Sequence, residues 1–220
     1  MPRYFKLLRE GLVHNGFTYK EGLNVLSEPF NETPAYGPGG LHFSEEKDIF
    51  QWLWALYDDD IGRIAEVELV PESRVVYMDK QCKTDKLILG PIRSISDFIN
   101  DPLNTETVVK CCGETLRYVK DQTPELCLAA IQQDGSAIRF VRDQTTELCL
   151  AAVQQNGMLL SYVKKQTPEL CLAAVRQTWY ALQFVKEQTA EMCLAAYAQD
   201  KAATQYFKYR PDNDLNHILY

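Results

Sequence analysis

Residues 144–165 read QTTELCLAAVQQNGMLLSYVKK, and that line recurs without a gap on both sides. Residues 122–143 read QTPELCLAAIQQDGSAIRFVRD, 166–187 read QTPELCLAAVRQTWYALQFVKE, and 188–209 read QTAEMCLAAYAQDKAATQYFKY. Upstream, 105–121 (TETVVKCCGETLRYVKD) fits the same 22-residue period as a degenerate partial copy, with Gly113, Tyr118 and Val119 in register. Self-similarity at a fixed short period is the mark of a repeat array.

Each copy reads as two short helices. Thr123, Thr145, Thr167 and Thr189 stand where an N-cap hydroxyl would meet orphan backbone N–H groups. Pro124 and Pro168 follow at the first helical position, where a missing N–H costs little. Glu125, Glu147, Glu169 and Glu191 then place a negative charge at the positive end of the helix dipole. A nearly all-apolar stretch such as Leu126-Cys127-Leu128-Ala129-Ala130-Ile131 implies burial on most sides, with the Ala pair allowing close backbone approach. Gly135 and Gly157 are expected as left-handed caps that end the first helix. A second short helix is expected to follow, bearing Phe140, Tyr162, Phe184 or Tyr206 and closed by Arg142, Lys164, Lys186 or Lys208. Helices of about 10 residues are marginal alone in water. They must stack on one another, which predicts an all-α solenoid of helix-turn-helix repeats.

The first 95 residues have a different texture. Glycines and prolines between Gly11 and Gly40 mark a loop-rich region. Tyr4 to Leu8 reads as an edge strand, and Leu41-His42-Phe43, Ile64 to Val70, Val75 to Met78 and Lys86 to Leu89 as further strands. Ser44 is expected to cap a helix carrying Ile49, Phe50, Leu53, Leu56 and Tyr57, and Ser96-Asp97 to cap a linking helix. The organisation expected is therefore an α+β domain over 1–95 and a helical array over 96–220, whose tail is 210–220.

Charge and composition speak against several classes without excluding a nucleic-acid role. The chain carries 23 basic and 30 acidic residues, a net charge of −7. Residues 1–95 contribute −4 and residues 96–220 contribute −3, so neither part has the basic excess that nucleic-acid binding needs. No apolar run is long enough to span a bilayer, and the first ten residues lack the apolar core of a secretory signal. Seven cysteines, an odd number, fit a reducing, intracellular setting.

The cysteine column Cys127, Cys149, Cys171 and Cys193 is expected to be core. Strung along an array, these thiols would not converge on one tetrahedral metal site, so no metal site is expected. The glutamine column Gln122, Gln144, Gln166 and Gln188 is expected to hydrogen-bond backbone between adjacent units. Asp58-Asp59-Asp60 lacks the alternating spacing of a calcium loop and reads as a solvated helix end.

Thr178-Trp179-Tyr180 stands where the two preceding copies have Asp134-Gly135-Ser136 and Asn156-Gly157-Met158, and the last copy departs again at Asp200-Lys201. A Trp is costly at positive φ, so the turn there is expected to be rebuilt. The pair either anchors a partner or packs over a neighbouring loop or the N-terminal domain. For catalysis there are His14, His42 and His217. A pocket built from His42, Tyr19, Tyr36 and Glu66 could by loose analogy bind a nucleotide, yet no phosphate loop, nucleophile elbow or zinc-protease motif is present. No catalytic residue and no cofactor is assigned.

The repeat QTPELCLAAVQQNG followed by YVK resembles a short helical repeat family of unknown function, abundant in the giant DNA viruses of amoebae. Tyr4-Phe5-Lys6, the run from His14 to Asn24, Gly39 to Ser44 and Asp85 to Gly90 are similar to a module that precedes ankyrin repeats in mimivirus-like proteins. The two likenesses cover nearly the whole chain. They imply a viral protein made in the host cytoplasm, a module joined to an interchangeable array, and bring no established activity.

The reading is a non-enzymatic interaction or scaffold protein whose partner is another protein, host or viral, with neither nucleic acid nor membrane involved. Specificity should lie in the columns that vary between copies, with Trp179, Tyr180, Met158, Arg139 and Arg176 as candidate partner-binding residues. Two alternatives stand beside it. One is self-assembly, a homodimer through the apolar C-terminal end at Tyr206, Phe207, Tyr209 and the tail to Tyr220. The other is a nucleotide-binding or transferase activity in the N-terminal domain.

Overall fold

Strand β1 (Tyr4–Arg9) carries apolar side chains on both faces, and it sits inside a sheet rather than at its edge. The computed structural model describes residues 2–50 and 61–208. Among the described residues nine further strands follow β1, making ten: β2 (Val13–His14), β3 (Phe17–Thr18), β4 (Gly22–Val25), β5 (Leu41–Glu45), β6 (Ile61–Leu69), β7 (Val75–Tyr77), β8 (Cys82–Thr84), β9 (Lys86–Leu89) and β10 (Arg93–Ser94). Eight of them form an antiparallel sheet in the order β4-β9-β6-β1-β5-β8-β7, with β10 added beside β6, while β2 and β3 make a separate hairpin. The expected edge strand is thus corrected: β1 pairs with β6 along its whole length and with β5 at Tyr4 and Phe5.

Alternation along β1 builds two layers. Leu8 joins Tyr19, Leu41, Phe43, Ala65, Val67, Leu87 and Leu89 in one buried cluster. Phe5 points the other way, its ring 5.3 Å from Phe98 and 5.7 Å from Phe50. Phe98 lies on α2 (Ile95–Ile99), which Ser94 caps by accepting from the Asp97 N–H at 3.0 Å. That cap stands two residues before the expected Ser96, because Ile95, Phe98 and Ile99 supply the buried face. Helix α1 (Glu46–Ile49) is preceded by Glu45; Ser44 is buried in β5 opposite Phe5 and caps nothing. Leu53, Leu56, Tyr57 and Asp58-Asp59-Asp60 lie outside the described residues.

The degenerate copy keeps the repeat geometry, as α3 (Thr105–Cys111) followed by a 3₁₀ helix over Gly113–Tyr118. It is also tied to the elements before it. Arg3 donates to Asn104 Oδ1, and Asn100 binds both the Tyr118 carbonyl and the Lys120 N–H. The chain divides into two compact units, one ending at Lys120 and one beginning at Asp121.

In the second unit each copy has an α-helix and a six-residue 3₁₀ helix: α4 (Pro124–Gln133) with Gly135–Phe140, α5 (Thr146–Gln155) with Gly157–Tyr162, α6 (Pro168–Gln177) with Trp179–Phe184, and α7 (Ala190–Gln199) with Lys201–Tyr206. All four threonine caps form, each hydroxyl accepting at 3.3 Å from the N–H three residues on. Ala130, Ala152, Ala174 and Ala196 are fully buried, and consecutive α-helices contact one another.

The glycine caps are corrected. Gly135 and Gly157 are not left-handed; the helix ends at Asp134 and Asn156 with extended backbone, and each glycine begins the 3₁₀ helix. Asp134, Asn156 and Asp200 cap those helices by accepting from the N–H two residues on. Glycine is needed for proximity instead: a Cβ on Gly157 would stand 2.4 Å from the Ala174 carbonyl oxygen. The turn at Trp179 is correspondingly not rebuilt, since Thr178 keeps the extended conformation of Asn156, and the Trp179 N–H donates to Gln199 as the Gly157 N–H donates to Gln177 one copy earlier.

Candidate functional site

The repeating columns of the array are consumed by structure. The cysteines are buried, and each Sγ lies 3.5–3.9 Å from the Oε1 of the glutamine five residues before it. Burial pushes all four thiols above their ordinary range. Those glutamines chiefly close their own unit. Gln166, for example, donates to the Phe184 carbonyl and accepts from the Lys186 N–H. Gln144 and Gln188 also reach the preceding unit, at the Ile138 and Leu182 carbonyls.

A second glutamine column, missed in the sequence, makes the links between units. Gln155, Gln177 and Gln199 accept from the N–H of Gly135, Gly157 and Trp179 in the unit before. The invariance of that column across copies was its signal. The closing lysines act across units too: Lys164 Nζ donates to the Val141 and Arg142 carbonyls, and Lys208 Nζ to Gln183 and Val185.

The varying columns are at the surface. Gln132, Gln154, Arg176 and Ala198 are all exposed, as are Arg139, Ser161 and Gln205. Met158 is half-buried and Tyr180 exposed, at the same place in consecutive 3₁₀ helices. Arg139 lies 4.6 Å from the centre of the Phe140 ring, and Arg176 forms an exposed ion pair with Glu191 at 3.1 Å. Trp179 is half-buried and stacks on Tyr180 with ring centroids 3.9 Å apart; both lie 6.0 Å from Tyr206 of the following unit. Trp179 therefore leans on the next repeat while Tyr180 keeps an open side. Met158 and Tyr180 share a column, Trp179 adjoins them, Arg139 stands one turn further along its own 3₁₀ helix, and Arg176 ends α6.

The N-terminal unit holds a different arrangement. His42 and Tyr36 line an open cavity of about 400 Å³ with His14, Asn15, Gly37 and Gln81. Glu66 is not part of it; it is exposed and pairs with Arg3. Beside the cavity, Lys6 is buried, with Nζ 2.8 Å from the His42 carbonyl, 3.1 Å from His14 Nδ1 and 4.3 Å from the centre of the Tyr19 ring. Burial lowers the Lys6 ammonium to about 7. Burial first, then Lys6, lowers His14 and His42 to about 4. Burial raises the Tyr19 phenol. Lys83, also buried, stands opposite His42 in the β5–β8 pairing. The sequence points to His14, His42, Tyr19 and Tyr36 but gives no sign that Lys6 and Lys83 are enclosed beside them.

Among the described residues no three His, Cys, Asp or Glu side chains form a group that could hold a metal ion. No described helix is long and apolar enough to cross a membrane.

Residues 146–188, two of the array copies, match the model of a domain of unknown function, DUF4116. The chain is 48% identical over 52 residues to an uncharacterised protein of Acanthamoeba polyphaga mimivirus, covering 23% of this chain and 38% of that protein. It is 30% identical over 102 residues to a putative ankyrin repeat protein of the same virus, 43% of this chain and 48% of the relative.

The chain resembles giant-virus repeat proteins. A second putative ankyrin repeat protein of that virus is 37% identical over 62 residues, 28% of this chain and 18% of the relative. The chain thus spans less than half the length of each of these relatives. No solved structure matches it.

Proposed function

We propose that the protein is a non-enzymatic interaction protein of a giant virus, whose array from Asp121 onward is a solenoid presenting a protein-binding surface. One observation carries this reading: columns that repeat between copies are buried or hydrogen-bonded, while columns that vary are mainly exposed. Stacked units of this kind hold a surface rigid while leaving its residues free to change. Two relatives are named putative ankyrin repeat proteins, which supports a binding role. Tyr162 and Tyr180, 43% and 44% exposed, offer aromatic contact area of the type that dominates protein interfaces. Host cytoplasm is the proposed setting, in keeping with seven cysteines and no disulfide among the described residues.

Affinity capture from infected-cell lysate tests the reading, with exposed-column substitutions as the control. The homodimer expected at the C-terminal end rests largely on residues 209–220, outside the described residues. Light scattering over a concentration series tests it separately.

A further inference from the structure

We propose that the cavity beside His42 in the N-terminal unit is a binding site for a small oxyanion, with a phosphate group as its chemistry. His42 is 3% exposed, and neither of its ring nitrogens has a hydrogen-bond partner. The Gly40 carbonyl is near enough to favour the protonated ring but makes no hydrogen bond of good geometry. A buried imidazole left without partners is costly, and this one lines an open cavity of about 400 Å³.

The charge around it has one sign. Lys83 stands directly opposite His42 across the β5–β8 pairing, and Lys6 donates to the His42 carbonyl. Among the described residues, the charged groups acting on His42 are Lys6 and Lys83, and those acting on His14 are Lys6, His42 and Arg9. No carboxylate is among them, in a chain where acidic residues outnumber basic ones. A cation is repelled by such a site, and an apolar ligand would leave its polar walls unpaired.

An oxyanion meets both needs. It offers acceptors to the imidazoles of His14 and His42, and its charge is stabilised by Lys6 and Lys83 without crowding either. Asn15 and Gln81 add side-chain amides, and Tyr36 a hydroxyl. The cavity is larger than one phosphate, leaving room for an attached group. Gly40 allows the Lys83 stem to lie against the backbone, since a Cβ there would stand 2.8 Å from Lys83 Cδ.

The test is an NMR titration of the full chain, following the imidazole proton resonances of His14, His42 and His217. Inorganic phosphate, adenosine monophosphate and potassium chloride at matched ionic strength are the three arms. The expected result is saturable movement of the His14 and His42 signals with both phosphate compounds and none with chloride. Tighter binding of adenosine monophosphate marks a nucleotide as the ligand; equal binding marks phosphate alone, and either supports the site. His14→Asn, at a half-exposed position, and Lys83→Met are expected to weaken binding by about tenfold or more, with far-UV circular dichroism reporting their fold. Wild-type His14 and His42 signals that do not saturate with either phosphate compound would overturn the proposal. So would movement confined to His217.

Discussion

The side-chain amide of Gln155 joins two consecutive repeats: its Oε1 accepts from the Gly135 N–H at 2.9 Å, and its Nε2 donates to the Ile131 carbonyl at 2.6 Å. Gln199 repeats the arrangement one period on from Gln177, at Trp179 and Val175. Gly135 is buried, so its N–H has no recourse to water. Replacing Gln155 with Leu is expected to cost about 1–3 kcal/mol by leaving that donor unpaired. Urea denaturation of the variant beside wild type measures it.

Gly157→Ala is expected to destabilise by about 1–3 kcal/mol, because the new methyl meets the Ala174 carbonyl, which belongs to the backbone of the next unit. Gly135→Ala should cost less. There the Cβ meets only side chains, Leu159 Cδ1 at 2.8 Å and Gln155 Oε1 at 2.9 Å, which have freedom to move. Equal losses at the two sites would contradict this account of why glycine is used.

The array thiols should be nearly inert in the native state. Cys127, Cys149, Cys171 and Cys193 are buried and their thiols are held protonated. Since the thiolate is the reactive form, a thiol reagent near neutral pH should label them far more slowly than in denaturant. Rapid native labelling at these four positions, read by peptide mass, would show that the stack opens.

Stability should depend on pH through the Lys6 cluster. Lys6 titrates near 7 when folded against 10.5 as a free side chain, so in that interval the unfolded chain binds the extra proton. Stability therefore rises with pH above 7, by at most about 1.4 kcal/mol per pH unit from this group. The clean window ends near 9, where the buried thiols, whose pKa values are raised, begin to act in the opposite sense. His14 and His42 have folded values near 4 against 6.5, so stability falls as pH drops through that range. Asp85, paired with Arg74, and Asp101, paired with Arg93, protonate below it. Melting temperatures of wild type and Lys6→Met across pH 7 to 9 check the upper limb, which the variant should lack.

Much of the array was legible because its physics is local. A Thr cap, a first-turn Glu and an apolar run are signals contained within one helix, and each forms as read. The glycines were misread because their reason is not local: it lies in the approach of Ala174 and Gln155 from the next unit. The same holds for Lys6. In a strand taken as an edge, a lysine looks like a solvated charge. Only the pairing of β1 with both β5 and β6 reveals that it is enclosed. The Ser44 and Ser96 caps failed for a related cause, since tertiary pairing drew Ser44 into β5 and buried Ile95 in α2.

The central claim is that the varying exposed columns bind a protein. Its most direct test compares what wild type and the triple variant Arg139→Glu, Arg176→Glu, Tyr180→Ala retain from infected-cell lysate, with matching circular dichroism spectra for both. The account predicts one or more proteins held by wild type and lost from the variant. Identical retention by both chains, or no protein above background on a folded wild type, would contradict it.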